Sequence, residues 1–276
     1  MSSAVLIDGK GSATALAAPR EGAEPLRRPR LWVEFVVTAW LCWIYDAITN
    51  LAPLRLHAAI AHAEGVLNLE RTMHLDPELA LDRWLAGHHT LGLILADYYD
   101  NAHFVVTLGL LGLLWWRRGD IYRPLRNVLV LVNVLGFVVF WRYPVAPPRM
   151  LVHQGFSDVV ASTHAFGSWH AGSLASQANQ LAAMPSLHIA WALWCTLAVW
   201  SMSKRRSLRG LAVLYPCLTA FAVLATGNHF VLDIVGGLAV AAVASAIVWL
   251  TRSSRALPGP RALLAPVRAR LGTAQP

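Results

Sequence analysis

The sequence predicts an all-α fold: an integral membrane six-helix bundle with interfacial amphipathic helices between the first and second spans. Three observations carry this. Hydrophobic residues make up 56% of the 276 positions and charged residues only 14%, far from the balance of a water-soluble domain. Six apolar runs, at about 31–50, 97–116, 125–143, 185–203, 208–227 and 229–251, each approach the roughly 20 residues a helix needs to cross a bilayer. The basic residues outside those runs gather in alternate connections.

In chain order, residues 1–30 are rich in Ala, Gly, Ser, Pro and Arg and lack the apolar core of a cleavable signal. They read as a disordered cytoplasmic tail, and the first run reads as a retained signal anchor. Residues 51–96 interleave Arg55, Arg71 and Arg83 with Glu64, Glu70, Asp76, Glu78 and Asp82 over an apolar periodicity. That pattern predicts amphipathic helices at the interface rather than a seventh span. Five further runs complete a membrane catalytic domain over 31–251, and the proline-broken basic stretch 252–276 reads as a second cytoplasmic tail.

The formal charge of +8 is distributed in a telling way. Arg27, Arg28 and Arg30, then Arg117, Arg118, Arg123 and Arg126, then Lys204, Arg205, Arg206 and Arg209, then Arg252, Arg255 and Arg261 all fall on one side of the alternating runs. Such an excess marks cytoplasmic loops rather than nucleic-acid contacts, so both termini are expected inside and segments 51–96, 144–184 and 226–229 outside. Cys42, Cys195 and Cys217 all sit within apolar runs, an odd count that argues against a disulfide framework or a thiolate metal site and reads as small core residues. No internal repeat and no glycine-rich phosphate loop is evident.

This topology brings three polar segments to the outer face: "WRYPVAPPRML" after the third run, "MPSLH" at the start of the fourth and "TGNHFVLD" at the start of the sixth. His229 and Asp233 are four apart, so on a helix the carboxylate would take a proton from one ring nitrogen and leave the other nucleophilic. An acid one turn inside a membrane helix is costly and needs such a partner. Pro185 suits the first position of the fourth helix, which would leave the N–H groups of Ser186 and Leu187 aimed at an anion. Arg149 adds a full charge and a planar fork on the stiff Pro147–Pro148 stretch, and Arg142 lies seven residues before it.

Two histidines, an acid and an arginine fit phosphoryl transfer with no metal or cofactor. One imidazole attacks phosphorus, the other protonates the leaving oxygen, and arginine neutralises the equatorial oxygens. His229, backed by Asp233, is the expected nucleophile, His188 the general acid, and Arg149, Arg142 and Ser186 the phosphate ligands.

The ordered set resembles the type 2 phosphatidic acid phosphatase superfamily, whose motifs run Lys-x6-Arg-Pro, Pro-Ser-Gly-His and Ser-Arg-x5-His-x3-Asp. Arg142 and Arg149 keep the first spacing, Pro185, Ser186 and His188 cover the second motif, and His229 and Asp233 the third. Arg142 replaces the lysine, Met150 the proline and Leu187 the glycine, while the third motif's Ser-Arg pair falls at Ala222 and Val223. With "APPR", "PSLH" and "TGNHFVLD", over roughly residues 90–245, the chain looks most like the inositolphosphotransferase-like branch that includes inositol phosphorylceramide synthases. The resemblance implies a lipid phosphate or phospholipid substrate, with water or an alcohol such as inositol as acceptor.

Other polar residues have blander readings beside the functional one. Tyr99 and His103, in "DYYDNAHF" with Asp97 and Asn101, could contact a headgroup or simply satisfy one another. His153, His164 and His170 lack the spacing of a zinc site, and Trp115, Trp116, Trp141 and Trp200 read as an interfacial belt. Two competing classes stay open: a haem-carrying electron-transfer bundle with His103, His188 and His229 as ligands, and a transporter with charged groups at mid-depth.

Overall fold

A computed structural model describes residues 30–51, 55–159 and 181–256. Among these the chain forms eight α-helices and no strand, with one isolated parallel bridge between Val145 and Ala182. The helices are α1 (Leu31–Leu51), α2 (Leu56–Thr72), α3 (Glu78–Ala86), α4 (His89–Arg117), α5 (Gly119–Arg142), α6 (Leu187–Met202), α7 (Arg206–Ala225) and α8 (Val231–Ala256). Two single 3₁₀ turns, Pro148–Met150 and Val152–Gln154, follow α5.

Each of the six apolar runs falls on a helix, and the segment between the first two forms α2 and α3. Three helical stretches, Gly119–Arg142, Arg206–Ala225 and Val231–Arg252, are long and apolar enough to cross a membrane. Leu31–Ile44 and Leu187–Met202 are apolar but shorter. α4 starts at His89, well before the apolar run at 97, because Leu91, Leu93, Ile94, Leu95 and Ala96 extend the apolar stretch backwards and its first turns pack against α3 and α7. The two tails lie outside the described residues, as do His164 and His170, except that α8 carries the last apolar run on to Ala256.

α6 is the central helix, in contact with α4, α5, α7 and α8. Its Ala190, Trp194, Cys195 and Ala198 pack with Leu125, Val128, Leu129 and Val132 of α5 and with Ala241 and Ala244 of α8. Alternating small and large side chains let the helices approach while Trp194 fills the gap. A buried indole N–H needs an acceptor, and Trp194 Nε1 donates to Leu125 O at 2.8 Å. The outer faces of α1, α4, α7 and α8 expose Phe35, Val105, Leu211 and Trp249, an apolar surface suited to lipid. Cys195 is buried, whereas Cys42 and Cys217 sit on exposed faces rather than in the core.

α2 packs on α8, and α3 on α7 and α4. A second core joins Ala59, Ala63 and Leu67 of α2 to Val145, Ala146, Leu151, Leu181, Ala183 and Phe230. The hairpin is therefore not a simple two-faced amphiphile: Glu70, Glu78 and Asp82 are fully buried against the bundle. Sequence periodicity alone had placed them among surface charges.

Candidate active site

The three polar segments meet. Val145 N–H donates to Leu181 O and Ala183 N–H to Val145 O, so the segment after α5 runs beside the approach to α6. Ser186 N–H donates to Asp233 O at 3.0 Å, tying the start of α6 to α8. Gly237 makes that approach possible, since a Cβ there would fall 2.4 Å from Ser186 O.

Two local readings change. Ser186, not Pro185, bounds α6: it is the N-cap, with Oγ accepting from Ile189 N–H at 3.5 Å. Its own N–H is spent on Asp233 O, and the residue is fully buried, so it appears here as a cap and a tether. His229 also lies before α8 rather than on it. Asp233 is the third residue of α8 and turns back, its Oδ2 accepting from Phe230 N–H at 2.8 Å in the manner of a capping-box acid. The same oxygen lies 3.3 Å from His229 Nδ1, so the spacing of four gives the expected pair by another route.

His229 is 2% exposed. Its Nδ1 is 2.9 Å from Ala183 O as well as 3.3 Å from Asp233 Oδ2, and both oxygens are acceptors. Those acceptors assign the proton to Nδ1 and leave the Nε2 lone pair free. Nε2 faces His188 Nδ1 at 3.4 Å. His188, in the first turn of α6, stacks on Tyr99 with centroids 4.4 Å apart and meets the edge of His103 at the same separation. His103 Nδ1 in turn donates to Tyr99 O at 3.1 Å. Tyr99 and His103 thus form an aromatic shelf under the second imidazole, while Asn101 bonds Asp97 at the exposed side.

Arg149 is buried, and its guanidinium is organised from two sides: Nε donates to Asn228 Oδ1 at 2.8 Å and Nη1 to Asp158 Oδ2 at 3.1 Å. Its N–H donates to Gly227 O at 2.8 Å. Arg149 therefore reaches the turn from which His229 projects, one residue past Asn228. Gly227 has φ +63°, and a Cβ would meet Asp82 Oδ1 at 2.9 Å, so both conformation and space call for glycine. Asn228 is fixed by donating to Thr226 Oγ1 at 2.9 Å.

Arg142 behaves differently: it is exposed at the last turn of α5 and, among the described residues, has no hydrogen bond or ion pair with this group. Ala222 and Val223, which stand where the third motif has Ser-Arg, are buried among Leu85, Leu95, Ala96 and Tyr99. His153 pairs with Glu64 at 3.0 Å on the surface. Asn228 and Asp158 were not anticipated. Asn228 could have been suspected from its place beside His229, but Asp158 sits in a loop with no periodicity to mark it.

The cluster brings together a ring nitrogen with an oriented tautomer, a second imidazole 3.4 Å from it, and a guanidinium bonded to Asn228, the residue before His229. Among the described residues no group of three His, Cys, Asp or Glu side chains is arranged to hold a metal ion. In comparisons with known proteins, no curated protein and no solved structure matches. The family model described as the PAP2 superfamily matches residues 64–247, two thirds of the chain and all of the segments just described. The chain belongs to the PAP2 superfamily, whose members are membrane-associated phosphatases and phosphotransferases of lipid-type substrates.

Proposed function

We propose that this protein is a multi-pass membrane enzyme that cleaves a phosphate ester or phosphodiester of a lipid through a phosphohistidine on His229. The observation that carries the reading is His229 Nε2, facing His188 Nδ1 at 3.4 Å and backed by two acceptors on Nδ1. Nε2 attacks phosphorus, the bond to the leaving oxygen breaks, and protonated His188 gives that oxygen its proton. His188, now neutral, takes a proton from water or an alcohol as its oxygen attacks the same phosphorus, and the N–P bond breaks to restore His229. Arg149 offsets charge on the equatorial oxygens throughout.

Transfer to an alcohol such as inositol, as the inositolphosphotransferase-like branch would do, and hydrolysis by water differ only in the second attacker. The six-span topology goes with this reading: both termini on the cytoplasmic side and the site on the outer face, in agreement with the basic residues of alternate connections. Incubation of the purified protein with phospholipids and polyprenyl phosphates, with and without inositol, followed by mass spectrometry, separates the two fates. Lipid turnover equal to wild type in a His229→Asn variant would exclude this mechanism. No observation favours electron transfer or transport.

A further inference from the structure

Three buried acids on α2 and α3 do not take part in the chemistry above. Glu70, Glu78 and Asp82 are each 0% exposed, and a buried carboxyl group is stable only where donors meet it. The donors it finds are backbone N–H groups of the site. Leu232 N–H, one residue before Asp233, donates to Glu70 Oε1 at 2.6 Å. Ser157 N–H, one residue before Asp158, donates to Asp82 Oδ2 at 2.9 Å. Asp82 Oδ1 also walls the Gly227 turn that leads to Asn228 and His229.

Glu78 stands behind Glu70. The two carboxyl groups lie within hydrogen-bonding reach, and Glu70 Oε2 and both Glu78 oxygens have no other donor among the described residues. One proton held between them supplies it. Burial pushes both groups up, Glu70 to about 9, so the pair keeps that proton at neutral pH. The consequence reaches the site, because negative charge on either group would act unfavourably on charge at Asp233.

We propose that Glu70 and Asp82 are positioning residues through which the α2–α3 hairpin sets the two halves of the site separately. Glu70 holds the start of α8, and with it the His229–Asp233 pair. Asp82 holds the Ser157–Asp158 turn, and with it the Arg149 clamp. Neither acid touches the reacting phosphorus. The inference rests on the phosphohistidine reading for its kinetic signature, though not for its structural one.

The test pairs two variants that remove the acceptor, Glu70→Met and Asp82→Leu, with two that keep it, Glu70→Gln and Asp82→Asn. Misplacement of catalytic groups by about 1 Å can cost about a hundredfold, so a loss of about ten- to a hundredfold is expected. In Glu70→Met that loss is expected in kcat, with KM near wild type. In Asp82→Leu it is expected in kcat and KM together and in vanadate inhibition, since Arg149 meets the phosphoryl oxygens in both the bound and the reacting state. The conservative variants should recover most of each loss. Amide hydrogen exchange gives a readout free of activity: Leu232 to Ile234 should exchange faster in Glu70→Met alone, and Ser157 to Asp158 faster in Asp82→Leu alone. A wild-type KM in Asp82→Leu, a KM raised as far in Glu70→Met as in Asp82→Leu, or unaltered exchange at these amides would overturn the proposal. A wild-type protein with neither lipid turnover nor vanadate binding would refute the phosphohistidine reading instead, and the exchange pattern would still decide the role of the hairpin.

Discussion

Gly237→Ala adds one methyl group where α8 crosses the start of α6, and its effect can be worked from the contact. The new Cβ would lie 2.4 Å from Ser186 O and 3.1 Å from Ile189 Cβ, whereas real Cβ atoms essentially never approach within 3.0 Å. Ser186 O is backbone and accepts the N–H of Ala190, so it cannot swing aside as a side-chain tip would. The first turn of α6 must move out by about 0.6 Å or more, and overpacking of this kind costs about 1–3 kcal/mol. His188 is two residues from Ser186, so the shift falls on its 3.4 Å approach to His229. Since a misplacement of about 1 Å can cost about a hundredfold in rate, a loss of about tenfold in kcat is expected. KM should change less, because Arg149 is held from another segment. Phosphate release from a lipid phosphate in detergent measures this, with Gly210→Ala as a control, where a Cβ meets nothing within 4 Å. A Gly237→Ala enzyme with wild-type kcat would show that the approach of α8 to α6 does not set the histidine pair.

Other expectations follow from the same geometry. His229→Asn should abolish the acid-labile phosphoprotein trapped from labelled substrate, while His188→Asn, with the nucleophile intact, should slow turnover by about 10²–10⁴-fold. Arg149→Leu should lower kcat by about 10²–10³-fold, and Arg149→Lys should recover little, since a lysine cannot reach Asn228 and Asp158 at once. Arg142→Gln should remain close to wild type, in keeping with its exposed place at the end of α5. Glu70 gives a pH dependence of stability. Its folded value of about 9 lies above 4.5, so the folded protein keeps a proton that the unfolded chain releases between those values. This contribution is full below 4.5, is lost as pH rises towards 9, and levels off above it. Denaturation followed across that interval should show the decline, and Glu70→Gln should make it shallower, the remainder coming from Glu78 and Asp82, which burial also raises.

How far the sequence reveals this architecture depends on the range of the interaction concerned. Apolar runs report burial or lipid contact residue by residue, so all six were legible and their helices lie where expected, apart from the early start of α4. His188, Arg149, His229 and Asp233 were legible as an ordered set because each motif carries its own local spacing. Glu70 and Asp82 were not, because a charged residue on an amphipathic pattern looks the same whether it faces water or a backbone N–H 162 residues away, as Glu70 faces Leu232. Local geometry was also under-determined. A spacing of four suggested a helical pair, but Asp233 reaches His229 by folding back over the helix start, where it can bind Phe230 N–H as well.

Where the third motif has arginine, this chain places a buried Val223. Position 223 lies in a closed cluster with Ala96 and Tyr99, and Val223 is 1% exposed. The same side chain lines a small cavity with Tyr99, His103 and His188, so valine leaves that wall of the site without a charge. With valine at that position, the proposed mechanism leaves the cationic share of phosphate binding to Arg149, whose fork is held at two points. Asn228 takes Nε and Asp158 takes Nη1, so the guanidinium plane is fixed before any substrate arrives. Because Asn228 directly precedes His229, the same turn that orients the cation also carries the nucleophile. Clamp and attacking nitrogen are therefore joined through one peptide unit, where the wider motif would draw its cation from one turn earlier in α7.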